Sequence, residues 1–227
     1  PTLGRVNPKV MRDGESIVKG PFTITPISID HSAHDSYCLL IEADNKVILI
    51  DNGLGDKQDA KFFSHYYLYG EDSLLGSLNK EGFSVDDVTD MFLTHLHFDH
   101  CGGGVKMNGS KPELTFKSAV YWSNEEHWKW ATQPNPREKA SFLKENILPM
   151  QELGQLEFIT KKNESSPFDF MDIYYASGHT DKMMIPKIRY KNYTICFMAD
   201  LLPSVGHIPL PYVMGYDTRP LITLHEK

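Results

Sequence analysis

The sequence lacks a long apolar run. No segment approaches the roughly 20 consecutive apolar residues that a helix needs to cross a bilayer. The polar start, PTLGRVNPKVMRDGE, also lacks the apolar centre of a secretory leader. We therefore expect a soluble chain with no membrane partner.

Clustered positive charge is also missing. The chain has 23 Lys and Arg against 30 Asp and Glu, which gives a net charge of −7, and its basic residues form no run. Such a balance offers no electrostatic surface for a phosphate backbone, so nucleic acid is a disfavoured partner.

The sequence has no paired cysteines. Cys38, Cys101 and Cys196 are odd in number and widely spaced, which indicates neither a disulfide framework nor a zinc knuckle. This usage fits a reducing compartment, and we predict a cytoplasmic location. Cys101 follows His100 and could serve as a thiolate ligand, but a small buried cysteine after a turn is the more common role.

The order of the elements predicts the fold class. At 227 residues the chain is long enough for one domain with a continuous core, and we expect a single domain over residues 1–227. Strands, then helices, then strands again favour a layered α/β sandwich in which helices cover the outer faces of two sheets. The predicted strands are 22–29, 36–43, 46–51, 91–94, 119–123, 156–160, 172–177, 183–190 and 193–199. The predicted helices are 59–70, 71–82, 124–131 and 136–148, the last opened by Pro136.

The final stretch, YDTRPLITLHEK, predicts a short helix with Asp217 or Thr218 as N-cap and Pro220 in the first turn. Its apolar residues need cover, and two helical turns are marginal in water without packing. We therefore expect either a homodimer or further residues that belong after Lys227.

The stretch 94–104, THLHFDHCGGG, carries the chemistry. In an irregular loop, His95 and His97 lie on the same side, so both imidazoles can bind one metal ion, while Asp99 and His100 turn toward a second point. Imidazole and carboxylate suit Zn²⁺ and related divalent ions. Packing these groups against the apolar residues before them would leave polar atoms unsatisfied. The stretch therefore predicts a metal site.

Two later residues extend this site. His179, in ASGHT, and Asp200, in FMAD, each follow an apolar strand. An aspartate at the end of a strand often caps a turn. Beside the histidine loop, however, His179 and Asp200 become the expected third ligand and metal bridge.

These motifs carry a family resemblance. ILIDNGLGD, THLHFDHCGG, SGHT and MAD occur in the order and spacing of the metallo-β-lactamase superfamily, over about residues 36–227. The resemblance implies an αββα sandwich with one or two Zn²⁺ ions at one edge, Mn²⁺ and Fe²⁺ being alternatives. By position, the resemblance implies that the first metal is bound by His95, His97 and His179, and the second by Asp99 and His100. It implies that Asp200 bridges the two metals and that Asp51 braces the histidine loop by hydrogen bonds.

The second half resembles hydrolases related to acyl-homoserine lactonases and methyl parathion hydrolase. The last metal-ligand histidine of those proteins lies beyond the position of Lys227, so we expect the fold to be incomplete at its C-terminus. His225 is a weak substitute ligand, and His207 is a better candidate for contacting substrate. Pro203 and Ser204 stand where the lactonases carry a tyrosine, which departs from the lactonase pattern.

Residues 5–48 resemble a different family, the ribonuclease J-like exonucleases, in which the histidine matching His31 binds metal. Here the segment forms the first hairpin of the sandwich, so we expect solvated or capping roles for His31 and His34. A recombined or engineered chain stays an open alternative.

These observations predict a metal-dependent hydrolase that activates water against a small ester, lactone or phosphotriester. Asp99 is the expected catalytic residue, because it can orient the water and pass a proton to the leaving group. A metal-dependent nuclease and a scaffold with little activity are the alternatives.

Several aromatic side chains could wall an apolar pocket or belong to the core: Tyr66, Tyr67, Tyr69, Trp122, Trp128 and Trp130.

Overall fold

The structure is a computed structural model that describes residues 17–18, 22–28, 37–66, 68, 73–160 and 166–227. His31, His34, Tyr67 and Tyr69 lie outside these residues, so the predictions for them stay untested. Within the described ranges, no helix is both long and apolar enough to span a membrane.

The larger sheet has seven strands in the order β1-β2-β3-β4-β5-β8-β9. The first four strands pair antiparallel, and β4, β5, β8 and β9 run parallel. Asp44 and Asn45 form the predicted hairpin turn between β3 and β4. The strands are β1 Ile17–Val18, β2 Phe22–Ser28, β3 Tyr37–Ala43, β4 Lys46–Ile50, β5 Asp90–Phe92, β8 Val120–Ser123 and β9 Leu156–Phe158.

A second, antiparallel sheet has the order β10-β11-β12, and a separate hairpin joins β6 to β7. Sequence reasoning missed this hairpin. The strands are β6 Val105–Asn108, β7 Lys111–Leu114, β10 Met171–Ala176, β11 Met183–Tyr190 and β12 Tyr193–Cys196. The helices are α1 Ala60–Phe63, α2 Leu74–Lys80, α3 Phe98–Cys101, α4 Glu125–Thr132, α5 Lys144–Glu152 and α6 Pro220–Glu226.

The two sheets pack face to face through an apolar layer. Ile41, Ile48 and Phe92 of the larger sheet pack with Met184 and Ile188 of the smaller one. Burial of each such side chain contributes about 1.5–3 kcal/mol. A second cluster, which includes Leu78 of α2 and Ile147 of α5, covers the other face of the larger sheet. The predicted layered α/β sandwich is confirmed.

Three helix predictions were wrong in detail. The predicted helix 59–70 is the four-residue helix α1, and turns follow it up to Tyr66. The chain from Pro136 to Ser141 forms turns: the Asn135 side chain accepts hydrogen bonds from the amides of Arg137 and Glu138, as a helix cap does, but no helix follows directly. The helix begins only at Lys144.

At the other end, Arg219 is the N-cap of α6 and makes no side-chain cap. Asp217 is buried and its carboxylate contacts His179 instead, while the Thr218 hydroxyl donates to backbone carbonyls. Pro220 does lie in the first turn, as predicted. Leu221 and Ile222 are exposed, and the homodimer stays a prediction.

The parallel strands bring the candidate site together. Ile50 pairs with Phe92, and Phe92 pairs with Trp122, so β4, β5 and β8 end at the same edge of the sheet. Asp51, the histidine loop and Asn124 follow directly after these three strands. The amide of Met184 donates to the Thr94 carbonyl and joins the second sheet to this edge.

A close backbone contact holds the loop against β4. A Cβ added at Gly102 would lie 2.0 Å from the Leu54 carbonyl oxygen. Gly102→Ala should therefore force the two loops apart and lower the free energy of unfolding by about 1–3 kcal/mol, as other overpacked sites do. Chemical denaturation checks this. Gly215→Ala, whose Cβ would meet nothing within 4 Å, is the control. Equal stability of the two variants would contradict the packing argument.

Candidate metal centre

The histidine loop begins where β5 ends. His95 to His97 form no regular element, His97 is extended, and the chain then turns into the short helix α3. The predicted irregular loop is therefore partly helical, and Asp99 and His100 lie on that helix. His95 is fully buried, and His97 and His100 are nearly so.

Asp51 holds this loop by its carboxylate. Its Oδ1 accepts from the Thr94 amide at 2.8 Å, and its Oδ2 accepts from the Thr94 hydroxyl at 2.7 Å. The same Oδ2 lies 2.8 Å from His100 Nδ1. Because a carboxylate only accepts, His100 donates through Nδ1 and presents Nε2 to the site. Asp51 thus links the end of β4 to Thr94 and His100 of the histidine loop.

Three histidines converge on one point. Ring nitrogens of His95, His97 and His179 lie within 4.8 Å of one another, and His97 Nδ1 is 3.1 Å from His179 Nε2. His95 Nε2 is buried and has no hydrogen-bond partner among the described residues. An orphaned buried nitrogen carries a free-energy cost that a cation would remove. The donor set fits a zinc-type ion.

Two buried carboxylates face the far nitrogens of this group. Asp217 Oδ1 lies 3.2 Å from His179 Nδ1, and Glu138 Oε1 lies 3.5 Å from His97 Nε2. Histidines that bind metals usually donate their second N–H to such a group, which fixes the orientation of the ring. Sequence reasoning missed both contacts.

A second group contains His95, His100 and Asp200. Asp200 lies between the two groups, because its Oδ1 is 3.3 Å from His100 Nε2 and its Oδ2 is 3.3 Å from His179 Nε2. This placement suits a bridging carboxylate. Asp99 belongs to neither group, although its Oδ2 lies 3.9 Å from His100 Nε2.

The electrostatics differ between the two groups. Burial lowers the pKa of His95 well below its usual value, and the neighbouring imidazoles lower it further. Burial would also lower the pKa of His100, but the carboxylates of Asp200, Asp99 and Asp51 raise it well above that value. The second group therefore attracts a positive charge, which a metal ion could supply in place of a proton.

His127 is a residue that the sequence analysis did not single out. The Leu96 amide donates to its Nε2 at 2.9 Å, and its Nδ1 donates to the Asp181 carbonyl. The buried ring thus joins the loop of His95 and His97 to the loop that follows His179. No sequence signal distinguishes it from an ordinary core histidine.

The loop of His179 is also held by α6. The carboxylate of Glu226 accepts from the amides of Ser177 and Gly178, at 2.7 and 2.9 Å. A Cβ at Gly178 would lie 2.2 Å from the Thr223 hydroxyl oxygen. Arg219 donates to the Ser177 carbonyl at 2.8 Å. The last described helix is therefore part of the support for the site.

Other predicted residues lie elsewhere. His207 Nδ1 is 2.9 Å from the Ser204 hydroxyl, and neither His207 nor His225 belongs to a metal-binding group of the described residues. The Cys101 thiol lies 3.4 Å from the Leu96 carbonyl, and Cys101 belongs to neither metal-binding group of the described residues.

The aromatic residues divide between core and site. Trp128 is in the core, Trp122 donates to Asp90 and Trp130 donates to Glu138. Tyr66 contacts Phe98 beside the metal centre, with ring centroids 5.0 Å apart. Among the described tryptophans and tyrosines proposed as pocket walls, Tyr66 is therefore the one that lies beside Phe98 and Asp99.

Comparison with known proteins identifies the family. The model of the family described as Metallo-beta-lactamase superfamily matches residues 32–157, which is more than half of the chain. The chain belongs to the metallo-beta-lactamase superfamily. An N-acyl homoserine lactonase of Bacillus thuringiensis is 30% identical over 77 residues, which are 30% of this chain and 31% of that protein. The chain thus matches about a third of the length of the curated relatives.

Solved structures agree on the fold of this superfamily member. A probable metal-dependent hydrolase from Staphylococcus aureus has a TM-score of 0.81 at 19% identity, over 92% of this chain and 84% of that one. AidC, a dizinc quorum-quenching lactonase, has a TM-score of 0.68 at 23% identity, over 93% and 83%. Both pairs differ widely in sequence but share the architecture.

The protonation of His127 predicts a pH dependence of stability. Burial lowers the pKa of His127 to about 4, so the unfolded chain binds a proton between about pH 6.5 and 4 that the folded chain does not. Acidification from about pH 6.5 to 4 therefore lowers the free energy of unfolding by up to about 3 kcal/mol through this residue. His127→Gln can keep both hydrogen bonds but cannot titrate. In chelator-treated protein, the gap in unfolding free energy between wild type and His127→Gln should narrow by about that amount from pH 6.5 to 4.

The control for this experiment is His65→Gln, which removes one exposed histidine. A gap between wild type and His127→Gln that stays constant with pH would contradict a buried neutral His127.

Proposed function

We propose that this chain is a metal-dependent hydrolase that uses a dinuclear zinc-type site to cleave a small ester, lactone or phosphotriester. The observation that carries the proposal is the convergence of His95, His97 and His179 on one point, with His100 on the other side of Asp200. Membership of the metallo-beta-lactamase superfamily and the dizinc lactonase among the solved structures support it.

The residues divide the site between two ions. His95, His97 and His179 would hold the first, His100 and Asp99 would contribute to the second, and Asp200 would bridge them. Zn²⁺ fits this imidazole-rich donor set, and Mn²⁺ and Fe²⁺ remain alternatives. When bound, such ions lower the pKa of water and polarise the oxygen of the scissile bond.

Asp99 is proposed as the proton-transfer group. Its carboxylate belongs to neither tight group of metal-binding atoms and is partly exposed, so it can reach a substrate that the buried histidines cannot. It lies close enough to raise the pKa of Tyr66, for which burial is the larger cause. The Tyr66 and Phe98 rings would contact the apolar part of a substrate entering beside Asp99.

The substrate is proposed only as a class. Two structural neighbours contain a product of homoserine lactone hydrolysis. In this chain, Pro203 and Ser204 stand where lactonases carry a tyrosine. An ester or a phosphotriester is therefore as compatible with this site as a lactone. The cytoplasmic location, the homodimer and the small-molecule partner stay predictions.

Hydrolysis by metal-loaded protein tests the proposal. We expect turnover on at least one of 4-nitrophenyl acetate, an N-acyl homoserine lactone and diethyl 4-nitrophenyl phosphate, lost with chelator and restored by Zn²⁺ or Mn²⁺. A single-stranded oligonucleotide tests the nuclease alternative in the same experiment. Cleavage of the oligonucleotide alone, or no metal-dependent turnover on any substrate, would refute the proposed function.

Asp99→Asn tests proton transfer by Asp99 when it is measured at a zinc concentration that fills both sites, because Asp99 is also a proposed ligand of the second ion. The amide cannot accept the proton, so kcat should fall by about 10²–10⁴-fold, the usual contribution of general acid–base catalysis. The zinc at the three histidines should be retained, which elemental analysis checks. Asp86→Asn, at an exposed aspartate, is the matched control and should keep full activity. Unchanged kcat in Asp99→Asn would exclude the role given to Asp99.

A further inference from the structure

Glu138 is a buried carboxylate outside the sequence motifs. It lies in the turns between α4 and α5 and has a relative exposure of 3%. Its Oε1 is a buried atom with no hydrogen-bond partner of ordinary geometry among the described residues, as is Nε2 of His97. A charged carboxylate at this depth needs partners that offset its loss of hydration.

The two oxygens of Glu138 face different groups. Oε2 accepts from Trp130 Nε1 at 2.7 Å and from Asn135 Nδ2 at 2.6 Å. An indole N–H and an amide NH₂ only donate, so the atom at the Oε2 position must be an acceptor. Oε1 is the oxygen that faces His97 Nε2, at 3.5 Å.

The opposite side of the His97 ring faces the proposed metal. His97 Nδ1 lies 3.1 Å from His179 Nε2, at the point where the three histidines converge. A neutral imidazole carries its proton on one nitrogen and a lone pair on the other. His97 can therefore bind a cation through Nδ1 only when its proton is on Nε2, the nitrogen that faces Glu138.

We propose that Glu138 is a positioning residue that accepts the Nε2–H of His97 and thereby directs the Nδ1 lone pair to the metal. The proposal rests on the proposed metal site but not on any hydrolytic activity. Asp51 and Asp217 face the outer nitrogens of His100 and His179 in the same way. Glu138 thus completes a set of three carboxylates around the centre.

The substitution Glu138→Gln tests this idea against a purely structural role. Trp130 and Asn135 both donate, so the glutamine oxygen must take the Oε2 position and its NH₂ group must then face His97. That NH₂ donates to Nε2 and favours the proton on Nδ1, which blocks the metal-binding nitrogen. Glu138→Ala removes all these contacts and favours neither tautomer.

The experiment measures the zinc dissociation constant of the three-histidine site by competition with a chromophoric chelator. We expect affinity to decrease from wild type to Glu138→Ala to Glu138→Gln, with a loss of about 10–100-fold in Glu138→Gln, typical when a group supporting a metal ligand is lost. In the zinc-free protein, ring-nitrogen NMR should find the His97 proton on Nε2 in the wild type and shared between Nε2 and Nδ1 in Glu138→Ala. Glu125→Gln, at an exposed glutamate paired with Lys129, should bind zinc as the wild type does.

The opposite order would overturn the proposal. If Glu138 only supports Trp130 and Asn135, Glu138→Gln keeps both hydrogen bonds and should bind zinc like the wild type, more tightly than Glu138→Ala. If Glu138→Gln fails to fold, loss of the Nε2 preference in zinc-free Glu138→Ala supports the proposal, and a His97 proton that stays on Nε2 in Glu138→Ala, or lies on Nδ1 in the wild type, overturns it. Failure of the wild type to bind zinc would reject the metal site itself, together with this proposal.

Discussion

The Asp51 carboxylate is the interaction on which the rest of the centre depends. Asp51 adopts a left-handed backbone conformation, with φ of 61°, that costs a non-glycine residue about 1–3 kcal/mol. The conformation persists because its amide donates to the Phe92 carbonyl while its carboxylate accepts from Thr94 and contacts His100. One side chain thereby joins the end of β4 to the end of β5 and fixes where the histidine loop begins.

Two other carboxylates, from distant parts of the chain, also face histidines of the site. Asp51, Glu138 and Asp217 follow β4, α4 and the second sheet respectively, yet each faces the outer nitrogen of a different site histidine. Buried charges are costly unless they are paired, so this arrangement fits histidines that present lone pairs to cations bound between them. The centre is therefore a property of the whole sandwich rather than of one loop.

Part of this centre was predictable from the sequence because its signals are local. The spacing of His95, His97, Asp99 and His100 concentrates ligand chemistry in one loop, and short apolar, β-branched runs bounded by turn residues indicated strands on both sides of it. Relating His179 and Asp200 to that loop needed the family resemblance, since a lone residue at the end of a strand usually caps a turn.

The remaining contacts depend on tertiary proximity and leave no sequence pattern. Asp217 was expected to cap α6, because an aspartate before Pro220 is a common helix start, but the pairing with His179 outweighs capping. Glu138 fell inside a predicted helix, but the chain around it forms turns. His127 has the spacing of an ordinary core residue of α4, and only the folded chain shows that it joins two loops.

The roles given to the surrounding carboxylates all require that three histidines bind one ion through defined nitrogens. A crystal structure of the zinc-loaded protein, with anomalous scattering to locate the metal, tests this binding. We expect zinc bound by His95 Nε2, His97 Nδ1 and His179 Nε2 at about 2.0–2.1 Å. Zinc bound elsewhere, coordination through His97 Nε2, or any of these three rings turned to solvent would contradict it.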